Sequence, residues 1–91
     1  MIRAKFKVGD VVKTRRKIKN DGTYPGISWD ALLVDIGEVG VIMDIGIFLL
    51  TKTIYTVYFP RLDMLIGCLE HELEAMDEEE ASTLQRDNYR A

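Results

Sequence analysis

Apolar and polar side chains alternate along much of this chain with a period of two, the pattern of strands that bury one face. The alternation begins in residues 4–14, where Phe6 and Val8 alternate with Lys5 and Lys7 and Val11-Val12 follow. Gly9-Asp10 is a turn or bulge signal inside that opening strand. Leu32–Val34 reads as a short apolar strand or turn. Next, Val39, Val41, Met43 and Ile45 alternate with Gly40, Ile42 and Asp44 up to Gly46, which ends the strand. Gly40 inside it marks a bulge or the close approach of another backbone. Residues 54–59, Ile-Tyr-Thr-Val-Tyr-Phe, are all β-branched or aromatic and give the clearest strand. Pro60 stops it, having no N–H to offer a ladder. Residues 63–69 form a last short strand, and Leu69, Leu73 and Met76 have the spacing of one or two helical turns.

Short strands with Gly- and Pro-rich connections and almost no helix predict an all-β fold. About 75 ordered residues suit a small closed barrel of about five strands better than a sandwich, which usually needs ~100. The order of features resembles a Src-homology-3-like barrel: a Phe-x-x-Gly-Asp-x-Val opening, a long first loop, a Gly-x-Val-Gly-x-Ile strand, a Tyr-x-Val-x-Phe strand and a terminal helical turn. That is a likeness of fold and carries no function. Residues 1–76 are the expected domain and residues 77–91 an acidic, flexible tail.

Composition narrows the chemistry. With one cysteine and one histidine in 91 residues, neither an intramolecular disulfide nor a Cys/His zinc site can form within the chain. Asp35, Glu38 and Asp44 interrupt the most apolar stretch, so no membrane-spanning helix is expected. No secretory leader is legible, and a reducing cytoplasm is the expected compartment. The net charge of −3 conceals a polarity. Residues 1–19 carry +7, residues 20–69 carry −4 and residues 70–91 carry −6. The basic arm has two readings: lysines that blunt strand edges, or a surface that docks phosphate or an acidic protein. The nucleic-acid alternative is opposed by the acidic balance and by few aromatics beside the cations.

No catalytic set is visible, and no cofactor or metal is expected. His71, between Glu70 and Glu72, reads as a surface residue on a turn. Gly37-Glu38-Val39-Gly40 lacks the lysine and helix of a phosphate-binding loop. Cys68 is either a small buried hydrophobe or a thiol that touches an iron–sulfur precursor; alone it cannot hold a cluster. Asn20-Asp21-Gly22-Thr23-Tyr24-Pro25-Gly26 is the densest run of turn formers and must be a loop. Beside it, Trp29 either anchors an interface or folds back to cap one end of the barrel.

That loop is the strongest single motif. Ile18-Lys19-Asn20-Asp21-Gly22-Thr23-Tyr24-Pro25-Gly26 is similar to the Arg-Asn-Asp-Gly-Thr-Tyr-Pro-Gly loop of the NifZ family of nitrogen-fixation proteins. The likeness continues through Ala31-Leu32-Leu33-Val34, Gly37-Glu38-Val39-Gly40-Val41-Ile42, Asp44-Ile45-Gly46, Phe48-Leu49, residues 54–59 and Ile66-Gly67-Cys68, spanning roughly residues 5–74. The chain departs from the family pattern at Asp35-Ile36 and at Leu50-Thr51-Lys52. The resemblance implies an accessory factor rather than an enzyme. Its implied partner is the immature molybdenum–iron protein of nitrogenase, and its implied task is maturation of the P-cluster. It also implies that Asn20 to Gly26 form the signature loop. On this basis the loop and Trp29 are expected to contact the partner, with Arg15, Arg16 and Lys17 steering toward acidic surface.

Overall fold

A computed structural model describes residues 4–76, so the expected acidic tail at 77–91 lies outside the described residues. The fold is all-β. Seven strands run in order: β1 Val11–Thr14, β2 Ile18–Lys19, β3 Leu32–Val34, β4 Val39–Phe48, β5 Lys52–Phe59, β6 Met64–Leu69 and β7 Leu73–Ala75. They form a five-stranded antiparallel sheet, β6-β5-β4-β1-β7, and a separate two-stranded hairpin, β2-β3. The expected barrel does not close. β6 and β7 end the sheet on opposite sides, and neither pairs with the other or with the β2-β3 hairpin.

β4, β5 and β6 are a meander because tight turns join consecutive strands, and antiparallel neighbours need no crossover. β1 then inserts between β4 and the C-terminal β7, bringing the two ends of the domain into one ladder. The buried face follows from alternation in β5: Tyr55, Val57 and Phe59 are wholly buried, while Tyr58 is on the other side and donates its hydroxyl to Asp63 at 2.7 Å. Val12, Ile42, Leu73 and Cys68 complete the same core. Phe6 packs edge-on against Tyr55, with ring centroids 5.3 Å apart. The Tyr55 hydroxyl accepts from the Lys5 backbone N–H at 2.9 Å, which ties the segment before β1 to the core.

Several expectations are corrected by local chemistry. Residues 4–14 are not one strand, and β1 starts at Val11. Gly9 at φ +93° lets residues 7–10 close a turn, with Asp10 N–H donating to the Lys7 carbonyl and Lys7 N–H to the Asp10 carboxylate. β4 does not stop at Gly46 but continues to Phe48. Its register shifts between Ile42 and Asp44, leaving Met43 as the extra residue of a bulge. The bulge switches which alternation faces inward: Gly40 and Ile42 are buried before it, whereas Ile45 faces the core after it. The expected C-terminal helical turn is one 3-10 turn at Glu70–Glu72. Leu73 then enters β7 and buries itself in strand conformation rather than continuing a helix.

Gly40 is required by close approach. It pairs with Val12 in β1, and a Cβ there would collide with a Val57 methyl and lie 2.9 Å from the Phe59 ring. We expect Gly40→Ala to lower stability by about 1–3 kcal/mol through overpacking. Urea unfolding is the measurement, and an unchanged midpoint would refute the close-packing account.

Candidate functional site

The candidate site is the chain segment that leaves β1 at Thr14 and returns at Glu38. Its base is fastened at Thr14, whose side chain is buried. The Thr14 hydroxyl donates to the Asp35 carbonyl at 2.6 Å and accepts from the Glu38 N–H at 2.9 Å. Its backbone accepts from Gly37 N–H at 2.8 Å and donates to the Glu38 carbonyl at 2.9 Å. Within the excursion, β2 and β3 pair through Ile18 with Val34 and Lys19 with Leu32. Ile18 and Val34 are buried, so this short hairpin is held mainly by core packing.

Beyond the hairpin, residues 20–31 have no ladder to satisfy their backbone groups, and the side chain of Asn20 takes that place. Asn20 is 2% exposed. Its amide nitrogen donates to the carbonyls of Ile27 at 2.8 Å, Tyr24 at 3.1 Å and Ser28 at 3.3 Å. Its oxygen accepts from the N–H groups of Gly22 and Tyr24, both at 3.1 Å. Its backbone also accepts from Asp30 N–H at 2.7 Å and donates to the Ala31 carbonyl at 2.8 Å. The Asn20 side chain is thus spent on hydrogen bonds within the loop.

The neighbouring residues are on the outside. The Asp21 carboxylate accepts from the Thr23 hydroxyl at 2.6 Å and the Thr23 N–H at 3.1 Å, and these bonds hold its pKa below the ordinary aspartate value. Gly22 and Gly26 adopt φ +95° and +80°, which the turn demands and side chains resist. Tyr24 is half-buried against the core, while Pro25 and Gly26 are exposed. Trp29 is 74% exposed, so it does not cap an end of the sheet. It lies beside Gly22, where an added Cβ would come 3.6 Å from the indole Cδ1. Arg15, Arg16 and Lys17, in the link from β1 to β2, are all exposed and have no ion pair among the described residues.

The structure also brings a second segment to the loop that sequence reasoning missed. A cavity of about 470 Å³ opens between the β2-β3 hairpin and the β4–β6 meander. Asp21 and Thr23 of the loop line one side, Phe48, Lys52 and Ile54 of the β4-β5 hairpin line the other, and Gly67 and Leu69 of β6 complete it. The signal for this segment was the apolar run Ile47-Phe48-Leu49-Leu50 ahead of Thr51, where polar turn formers are usual.

Cys68 is remote from this surface in character: it is wholly buried on β6. Burial pushes its thiol up to about 12, with the Glu72 carboxylate adding to the shift. It is a protonated, small apolar residue at neutral pH. His71 is exposed on the 3-10 turn. Among the described residues, no group of three or more His, Cys, Asp or Glu side chains could hold a metal ion. No helix there is long and apolar enough to cross a membrane.

Residues 3–75 match the family model described as the NifZ domain. The chain belongs to the NifZ family. It is 44% identical over 72 residues to Protein NifZ of Klebsiella pneumoniae, an overlap covering 79% of this chain and 49% of the relative. It is 46% identical over 68 residues to Protein NifZ of Azotobacter vinelandii, covering 75% and 43% of the two chains. A putative NifZ protein of Sinorhizobium fredii is 38% identical over 72 residues, covering 79% of this chain and 67% of the relative. The chain thus spans about half the length of the first two relatives. No solved structure matches it significantly.

Three measurements test the NifZ loop and core. Asn20→Ala removes five side-chain hydrogen bonds, and we expect a loss of about 2–3 kcal/mol with a change in Trp29 fluorescence. Chemical unfolding followed at the indole reads both, and an unaltered curve would refute the positioning role. The Cys68 thiol should resist a disulfide reagent at pH 8 until denaturant is added. Because its folded pKa is raised, the stability it contributes is complete below the unfolded thiol's ordinary value near 9.0 and is lost as pH rises toward about 12. Cys68→Ala should flatten that part of the stability–pH profile; an equal slope in both proteins would contradict it.

Proposed function

We propose that this NifZ-family chain is a nitrogen-fixation accessory protein that acts by binding, not by catalysis. Its partner in this reading is the immature molybdenum–iron protein of nitrogenase, and its task is to assist maturation of the P-cluster in the cytoplasm. The iron–sulfur cluster is cargo of the partner and is not held by this chain. The observation that carries the reading is the construction of the signature loop. One buried carboxamide sets its shape and leaves Trp29, Pro25 and the Asp21-Thr23 turn on a preorganised outer surface.

Preorganisation matters because ordering a loop on binding costs affinity. A large aromatic on a fixed loop supplies apolar contact with few rotors to freeze. Arg15, Arg16 and Lys17 lie just ahead of the loop in sequence and face solvent, where they would speed encounter with an acidic surface. An interface centred on one loop falls at the small, transient end of protein contacts, below about 1,200 Å².

Co-purification with the metal-free molybdenum–iron protein at low salt is the test. Retention should be lost in the Tyr24→Ala, Trp29→Ala double variant. Charge reversal at Arg15, Arg16 and Lys17 should weaken retention mainly at low ionic strength. No retention of the parent chain, or equal retention of the loop variant, would refute the reading. The nucleic-acid alternative rests on the same unpaired cations. It requires RNA binding that weakens steeply with salt in an anisotropy titration.

A further inference from the structure

The tip of the β4-β5 hairpin is unlike any other turn in the described chain. Ile47, Phe48, Leu49 and Leu50 are consecutive large apolar residues, each more than half exposed, and Leu49 and Leu50 reach 74% and 84%. Leu49 and Leu50 also have φ +53° and +63°, with Thr51 N–H donating to the Phe48 carbonyl at 3.3 Å. Left-handed dihedrals at both central positions are those of a type I′ turn, which Asn-Gly occupies with least strain. Two leucines there are doubly unfavourable in an isolated chain: the backbone is strained, and the apolar surface is left in water.

The same molecule carries a hollow beside this knob. The groove described for the candidate site is walled by Ile18, Leu33 and Ile54, and Phe48 belongs both to its wall and to the tip. Its charged lining is balanced, with Lys19 and Lys52 against Asp21 and Glu72. A bilayer of anionic lipid would favour an excess of cations at such a site. A small ligand would favour a buried polar group to orient it, whereas Lys19, Asp21 and Lys52 of this lining are exposed. A balanced lining instead complements itself across a twofold axis, where each cation can face an anion of the other copy.

The geometry points to a second copy of this chain as the occupant: Leu49 and Leu50 of one copy enter the groove of the other, and the exchange is reciprocal. Adjacency of knob and groove makes the contact isologous, so it closes at two subunits instead of propagating. A contact confined to one hairpin tip and one groove is small, so weak association is expected and a range of about 10–500 μM is the one to search. The occupied groove includes Asp21 and Thr23, so the dimer covers one side of the signature loop. This inference does not depend on the identity of any other partner.

Sedimentation velocity on the full chain across that concentration range is the test, with the Leu49→Asn, Leu50→Gly double variant beside it. That variant removes the knob while supplying the residues the turn prefers, so it should fold at least as well as the parent in a thermal melt. The parent should approach twice its 10.4 kDa mass, and the variant should stay monomeric. A monomeric parent, or a dimer that survives in the variant, would overturn the proposal. Flotation of the parent with phosphatidylglycerol vesicles, lost in the variant, would assign the tip to lipid and overturn it as well.

Discussion

Every backbone N–H and C=O removed from water needs a partner, and in this fold the sheet supplies partners for only part of the chain. Residues 20–31 make a wide turn with no ladder, and the Asn20 carboxamide fills the gap by donating to three carbonyls and accepting from two N–H groups. Only a side chain with both donor and acceptor ends can do this. The aspartate isostere would turn a carboxylate toward three carbonyl oxygens. The exposed surface of the signature loop is therefore a product of one buried polar residue. The glycines at 22 and 26 permit the turn, but they do not specify it.

The core is organised around a comparable constraint of space. Gly40 lets β4 lie against Val57 and Phe59, and its pairing with Val12 brings β1 onto the same layer. With β7 on the far side of β1, the sheet joins sequence-distant segments by backbone pairing. Tyr55 brings a polar group to the buried face of β5, using its hydroxyl to hold the Lys5 and Phe6 backbone over the core. The small domain is thus stabilised by packing and pairing that depend on few individual residues.

Much of this was legible in the sequence because it depends on local chemistry. β-Branched and aromatic residues at 54–59 marked β5, Asn-Asp-Gly and Pro-Gly marked the loop, and Gly40 stood out between valines, although what crowds it is the Val57 and Phe59 side chains and not another backbone. What escaped depended on long-range pairing. The bulge at Met43 reverses the alternation, so Met43 is exposed although the unbroken pattern places it with Val41 and Ile45. Residues 4–10 have strand composition but turn because Gly9 and Asp10 close on Lys7. Closure of the barrel could not be read from strand count, since it requires pairing between β6 and β7 that no local signal encodes. For the candidate site, the loop was readable, whereas the choice between an exposed and a capping Trp29, the inward aim of Asn20 and the opposing wall at Phe48 required the fold.

Thr14 has a consequence for how the excursion bears change. One threonine closes its neck, so Ile18 and Val34 stay packed in the core while Asp21, Pro25 and Trp29 beyond them face solvent. A substitution at Ile18 or Val34 therefore strains the layer beneath, whereas one at the exposed rim stays local.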